Sequence, residues 1–423
     1  MNPCELLLDS FYTAIDAANP LKIVPHHLPD PPQGNTLVIG AGKAAAAMAH
    51  AVEESWPTGH PLEGMVVTPY GHGLATQSIV VIEANHPLPD TQGAMTAHAM
   101  LESVHMLTPD DLLLGLFSGG GSSLLSAPIS SVTLEELQAI SRQLLRCGAS
   151  IQEINIVRKH LSVVLGGKLA AASRAPVYSL LISDVTDNDP SSIASGPCAP
   201  DPSTWQEVLA LIEHYALTIS PSLATMLREK TNSGHDETPK PGDTVFRNVK
   251  NKIIATARQS LTAAAQFFRD RNITPLMLGD TITGEAREIA KMHAAIAREI
   301  RHYHHPFKPP VALISGGETT VTVKGKGRGG RNAEFLLSLA IALNGMEEVY
   351  ALAGDTDGID GSETNAGAII KPDTLNRAQH IGVNPAALLN ANDAWTFFNQ
   401  LDDLVITQPT RTNVNDYRAI LIM

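Results

Sequence analysis

Short apolar runs, rich in valine, leucine and isoleucine, alternate along the chain with stretches whose apolar residues return at helical spacing, and most runs close on glycine, serine or aspartate. This rhythm predicts an α/β protein built on mostly parallel sheets. Strands are expected at 36–39, 65–68, 79–83, 112–117 and 177–183, with helices between them. The segment 230–250, KTNSGHDETPKPGDTVFRNVK, is polar, holds two prolines and two glycines and has no periodicity, so it predicts a domain boundary. Beyond it the alternation resumes, with strands expected at 252–256, 275–278, 311–315, 319–323 and 350–353. At 423 residues the chain is too long for one ordinary core. Two domains are expected, 1–235 and 236–423.

Composition narrows the function classes. A formal net charge of −13 leaves no basic surplus for a phosphate backbone, so nucleic acid is not an expected partner. Cys4, Cys147 and Cys198 are far apart and odd in number, which fits neither a metal-ligand spacing nor a disulfide framework and points to a reducing cytoplasm. Residues 1–16 place Glu5, Asp9 and Asp16 among leucines at helical spacing with no basic region before them, the pattern of a helix and not of a signal peptide. The longest apolar runs, such as 112–117 and 177–182, are far short of the roughly 20 residues that cross a bilayer.

In open α/β sheets, ligands collect beyond the carboxyl ends of strands, where helix amino termini offer N–H groups. The first such loop, IGAGKAA, matches the dinucleotide fingerprint with Gly40 and Gly42 as its glycines. The ribose-binding acid expected about 20 positions on is missing, because that strand ends Thr68-Pro69. Lys43 opposes the helix dipole unless an anion lies there, which suggests a bound phosphate or carboxylate; a solvated surface lysine is the competing reading. The second loop, FSGGGSS, places Gly119, Gly120 and Gly121 between Ser118 and Ser122, a combination suited to a phosphate nest and equally to a tight turn. The third, SDVTDNDP, crowds carboxylates after a strand. Asp184 is its better chemical candidate, since Asp189 before Pro190 also reads as turn chemistry.

Two further stretches are denser in chemistry. ISGGET supplies Gly316, Gly317 and Glu318, and KGKGRGGR sets four cations and four glycines in eight residues just before a helix. Such a segment repels itself and has little to pack, which suits a flexible anion receptor in which Arg328 or Arg331 neutralises charge. GDTDGIDG carries three aspartates on a glycine-rich loop expected to be exposed. Its twelfth position is Ala366, not the glutamate of a calcium loop, so magnesium on Asp355 and Asp357 fits better.

Together GAGKAA, FSGGGSS, RKHLS with GGKLA, IASGP, ISGGETTVTVKGKGRGGRN, GDTDGIDG and PTRTNVND resemble the class II glycerate kinases, whose carboxy-terminal part is called the MOFRL domain. The resemblance covers nearly the whole chain. It implies a Rossmann-like three-layer amino-terminal domain, a smaller α/β carboxy-terminal domain, an interdomain active site and ATP-dependent phosphorylation of glycerate to 2-phosphoglycerate with Mg²⁺. The chain departs from the family pattern at Thr186-Asp187-Asn188, where PGD is common, and at Gln408 and Arg411, which replace usual glycines.

The resulting expectation has ATP phosphates on the glycine-rich loops, Lys43 and Arg331 meeting one anion, and Asp189 or Asp184 orienting the glycerate hydroxyl. Arg328 grips the carboxylate in that reading. The expected partners are the small molecules glycerate and ATP, with a homodimer allowed and no membrane. An NAD(P)-dependent hydroxypyruvate reductase and a non-catalytic sugar-phosphate-binding protein are the other two classes left open.

Overall fold

The computed structural model describes residues 2–423, which divide into two compact units, one formed by Pro20–Ile254 and the other by the residues up to Asn19 together with Ala255–Met423. The expected division at 235/236 falls elsewhere for a physical reason. The polar segment around it is largely exposed but is tied to the first unit by a few side chains, so it is not a free linker. Thr238 donates to the buried carboxylate of Asp201 at 2.9 Å, and Glu237 accepts from His160 Nε2 at 3.2 Å and from the Trp205 N–H at 3.0 Å.

The first unit is built on a six-stranded sheet of β1 (Thr36–Ala41), β2 (Leu62–Pro69), β3 (Ile79–Ala84), β4 (Leu112–Phe117), β5 (Val177–Ile182) and β6 (Val249–Ala255), in the order β3-β2-β1-β4-β5-β6. The pairs among β1 to β5 are parallel. β1 and β4 are buried at every residue, as strands covered on both faces must be. One face packs on the helices Thr91–His105 and Lys168–Ala172. The other carries the helix Ala45–Ser55, whose run of buried alanines lets it lie close to the strands. A cluster of four helices, Leu134–Arg146, Ile151–Leu161, Trp205–His214 and Pro221–Ser233, forms a separate apolar core in this unit.

The second unit also holds a six-stranded sheet, of β7 (Thr274–Gly279), β9 (Val311–Gly317), β11 (Val349–Asp355), β12 (Gly367–Ile370), β13 (Leu404–Val405) and β14 (Asp416–Ile422), in the order β13-β12-β11-β14-β9-β7. A two-stranded piece joins β8 (Gly284–Glu285) to β10 (Thr319–Thr320). The mostly parallel expectation fails here. β14 runs antiparallel between β9 and β11, and β12 and β13 are antiparallel as well, leaving β7 with β9 as the parallel pair.

Alternation along the strands sorts the two faces. Ile420 and Ile422, Ala351 and Ala353, and Val311 and Leu313 join the core under the helices Ala286–Tyr303 and Arg331–Leu343. Tyr417, Ala419, Leu421, Leu352, Ala312 and Ile314 face the opposite way. That second face is covered by the helix Ala257–Arg269 and by Leu6, Leu7, Phe11 and Ala14 of the helix Pro3–Asp16. The amino-terminal helix therefore completes the carboxy-terminal unit. No helix among the described residues is long and apolar enough to cross a membrane.

Phe11 is fully buried against β11 and Tyr417. Its replacement by alanine should destabilise the protein by about 3–5 kcal/mol. Hydrogen exchange should accelerate in β11 and β14 while β1 to β5 keep their protection; faster exchange in β1 to β5 instead would contradict this division of the chain.

Candidate functional site

The first sheet reverses its direction of strand addition at β1, so the crevice beyond the carboxyl ends of β1 and β4 is the switch point where such folds bind ligands. The two loops there interlock. The Lys43 N–H donates to Gly119 O at 2.9 Å, the Ala44 N–H to Ser118 Oγ at 3.0 Å, and the Ser118 N–H to Ala41 O at 3.0 Å. Gly42 has φ +130°, and a Cβ on it would stand 2.2 Å from Ser118 Oγ. Gly40 is restricted by Leu116 O, 2.4 Å from the same construction. Both fingerprint glycines thus have a packing reason in the neighbouring strand. Gly120, at φ +83°, carries the turn past the His86 ring and the Lys43 stem, and Gly121 abuts Ala194. Among the described residues the N–H groups of Gly119 and Gly120 have no intramolecular acceptor.

The loop after β5 closes on the same place. Asn188, Ala194 and Ser195 all have positive φ, and Ser195 Oγ donates to Ser122 Oγ at 2.8 Å. Three such residues so close together hold strain of a kind that collects at functional sites. Asp184 is half-buried there. Asp189 is exposed, and its carboxylate takes the Ser191 N–H at 2.9 Å and the Ser191 hydroxyl at 2.6 Å, which is turn chemistry.

In the second unit the site centres on Arg331, the first residue of its helix. Its neighbourhood is acidic, not positive as the KGKGRGGR run suggested. Nη1 donates to Glu318 at 2.7 Å, Nη2 to Asp355 at 2.8 Å and Nε to Asp416 at 2.8 Å. Burial works against the charge, yet Asp416, Asp355 and Glu318 together hold the guanidinium well above its ordinary range. Asp416 also accepts from Asn332 Nδ2 at 2.8 Å and pairs with the buried Arg418. Asp360 accepts the N–H groups of Asn332 (2.9 Å) and Ala333 (2.8 Å) at the helix start, but burial pushes its carboxyl up to about 6.

The GDTDGIDG loop is buried, contrary to expectation, with Asp355, Asp357 and Asp360 at most 5% exposed. Asp355 Oδ1 accepts the Asp357 N–H, and Asp357 Oδ1 accepts the Ile359 N–H at 2.8 Å. The basic segment is tethered rather than flexible. Asn392 Oδ1 accepts the N–H groups of Lys324 and Gly325, Asp393 Oδ1 that of Arg328, and Ala391 O that of Gly327. Its glycines allow this, since a Cβ on Gly325 would lie 2.0 Å from Ala391 O. Arg328 stacks on Trp395 at 3.8 Å and forks onto Glu363. Gly316 and Gly317 pack against Asp416, Leu261 and Ile282. Lys43 and Arg331 fall in different units, each with its own partners.

Sequence reasoning passed over Asp416, Arg418 and Asn332. The closing NVND motif was the available signal for Asp416, which ends that motif and begins β14.

Two expectations follow. Arg331→Ala strands buried Asp355 and Asp416, so it should cost about 3–5 kcal/mol of stability, measured by urea unfolding; a loss below 1 kcal/mol would deny the carboxylate cluster its structural part. Asp360 has a folded pKa above its unfolded value near 4, so its stabilisation is complete below about pH 4 and is lost as pH rises through 6. Compared with Asp360→Asn, the native protein should lose about 2–3 kcal/mol between pH 4 and 7. A constant difference across that range would mean that the carboxyl is not shifted.

Residues 6–228 match the family described as Domain of unknown function (DUF4147), and residues 311–416 match the MOFRL family. A D-glycerate 2-kinase from Thermotoga maritima is 38% identical over 99% of this chain and 98% of its own length. A protein of Agrobacterium vitis with a provisional hydroxypyruvate reductase name is 45% identical over 99% of this chain and 94% of its own. The crystal structure of glycerate kinase from Thermotoga maritima superposes with a TM-score of 0.87 at 37% identity, covering 99% of each chain. With a switch-point crevice in one unit and the arginine–carboxylate cluster in the other, and with such kinship along its whole length, the chain belongs to the glycerate 2-kinase family defined by the DUF4147 and MOFRL domains.

Proposed function

We propose that this protein transfers the γ-phosphoryl group of MgATP to the 2-hydroxyl of glycerate, giving 2-phosphoglycerate and ADP. One observation carries the choice between kinase and reductase, namely the use made of the GAGK turn. A dinucleotide fingerprint presents its helix-start N–H groups to a pyrophosphate. Here the Lys43 and Ala44 N–H groups are taken by Gly119 O and Ser118 Oγ, and β2 ends without the acid that would hold a ribose. The crevice instead offers the ammonium of Lys43 with the N–H groups of Gly119 and Gly120, a point charge and two donors suited to terminal phosphate oxygens. Phosphoryl transfer needs mainly positioning and charge stabilisation, so this set is chemically sufficient.

In this reading Lys43 neutralises the transferred group, the 118–122 loop carries phosphate oxygens, and Asp184 orients the attacking hydroxyl. Asp189 braces its own loop after β5 through Ser191. Arg331, itself anchored by Glu318, holds Asp355 and Asp416 in place. Magnesium fits the 354–361 loop in one way. No group of three or more His, Cys, Asp or Glu side chains among the described residues is arranged for a metal. An ion there would take one or two carboxylates and keep several waters, the usual habit of Mg²⁺. Asp355 and Asp357 are the carboxylates of this loop that would hold it. Bound magnesium would neutralise phosphate charge.

Incubation with glycerate and ATP, followed by phosphorus NMR, should give 2-phosphoglycerate, while hydroxypyruvate with NADH should give no oxidation. NADH oxidation without ATP consumption would overturn the reading in favour of the reductase. Replacing Lys43 by alanine should lower turnover by about 10²–10³ at saturating substrates.

A further inference from the structure

The RKHLS motif forms the end and C-cap of the helix Ile151–Leu161, which starts with a capping box between Ser150 and Glu153. Two of its polar residues have partners. Lys159 Nζ donates to Asp201 at 3.3 Å, and His160 binds Ile156 O through Nδ1 and Glu237 through Nε2. Arg158 stands apart. It is only 9% exposed, its Nε is buried without an acceptor, and among the described residues no carboxylate pairs with it. Burial alone acts on its charge, bringing the guanidinium down to about 10.

Asn155, three positions earlier on the same helix face, repeats the pattern: it is 6% exposed and its Oδ1 is buried with no donor. A buried cation without a counter-charge, beside a buried acceptor without a donor, is among the costliest arrangements a fold can keep. The missing groups are thus an anion and a hydroxyl. Their place is also specific. This helix packs on the turn Ile193–Ser195, whose Ala194 abuts Gly121 and whose Ser195 donates to Ser122.

We propose that Arg158, with Asn155 one turn before it, binds the carboxylate and a hydroxyl of the 2-hydroxy acid substrate beside the 118–122 loop. The inference rests on the kinase reading above and gives the carboxylate a different receptor from Arg328, whose guanidinium is forked onto Glu363. A guanidinium matches a carboxylate in a planar two-point contact that an ammonium cannot reproduce.

The test compares Arg158→Met and Arg158→Lys with the native enzyme. Removal of an unpaired buried charge by an apolar chain of similar length should leave the melting temperature of the ligand-free protein unchanged or raised. The KM for glycerate should rise roughly 10–100-fold in Arg158→Met, with an intermediate rise in Arg158→Lys and an unchanged KM for ATP. The preference for glycerate over glycerol should narrow correspondingly. Glycerate without ATP should raise the melting temperature of the native protein and not of Arg158→Met, a readout that holds even if the native protein proves not to be a kinase. An unchanged KM and an unchanged glycerate-induced shift in Arg158→Met would overturn the proposal. So would a melting-temperature collapse with equal losses toward glycerol and ATP, which would make Arg158 a structural residue.

Discussion

One carboxylate organises the second unit. Asp416 opens β14, the strand between β9 and β11, and accepts from Arg331 Nε, Asn332 Nδ2 and Arg418 Nη2 at once. The alternation of β14 turns Asp416 and Arg418 toward the helix that begins at Arg331 and leaves Tyr417, Ala419 and Leu421 to the opposite core. Two arginines and an amide converge on one acid, so none of these buried charges is uncompensated. The helix start, the Asp355 loop and the edge of the central strands are fixed against each other by that convergence. Any chemistry assigned to Asp355 or Asp357 inherits its geometry from Asp416.

The first unit solves a related problem with backbone groups. Its switch-point loops hold each other through main-chain N–H and carbonyl groups. These contacts require Gly40 and Gly42 to approach β4 and its loop too closely for any side chain. A dinucleotide fold and this one can therefore share a G-x-G pattern for different reasons. The glycines of the former admit a ligand, whereas these admit a neighbouring loop. What distinguishes them is where the N–H groups of the following residues point, a property that spacing does not encode.

Most strands of the first sheet were legible because both their faces are apolar, and the 112–117 strand matches β4 residue for residue. The loops after β1, β4 and β5 were legible through glycine and serine at strand ends. The central strand of the second sheet was not. Its DYRAILI sequence carries charges at its first and third positions, and the ion pair between Asp416 and Arg418, with the help of Arg331, makes them compatible with full burial. The 324–331 run misled for the converse reason. Its glycines read as mobility, but they permit contact with the 391–395 backbone, a partner far away in sequence. Arg158 could be noticed as part of a motif, but its lack of a counter-charge is a property of packing alone.

The assignment of the amino-terminal helix to the carboxy-terminal unit has a consequence for biosynthesis. Leu6, Leu7, Phe11 and Ala14 emerge from the ribosome well before the surface they cover is complete, since it includes β14, made some 400 residues later. At about 5–20 residues per second the wait is roughly 20–80 s. During that interval the intervening unit, which is continuous in sequence from Pro20 to Ile254, has all its strands available and can fold. The nascent chain thus carries a folded middle with an unsatisfied apolar helix ahead of it, a natural client for chaperones that shield exposed hydrophobic surface.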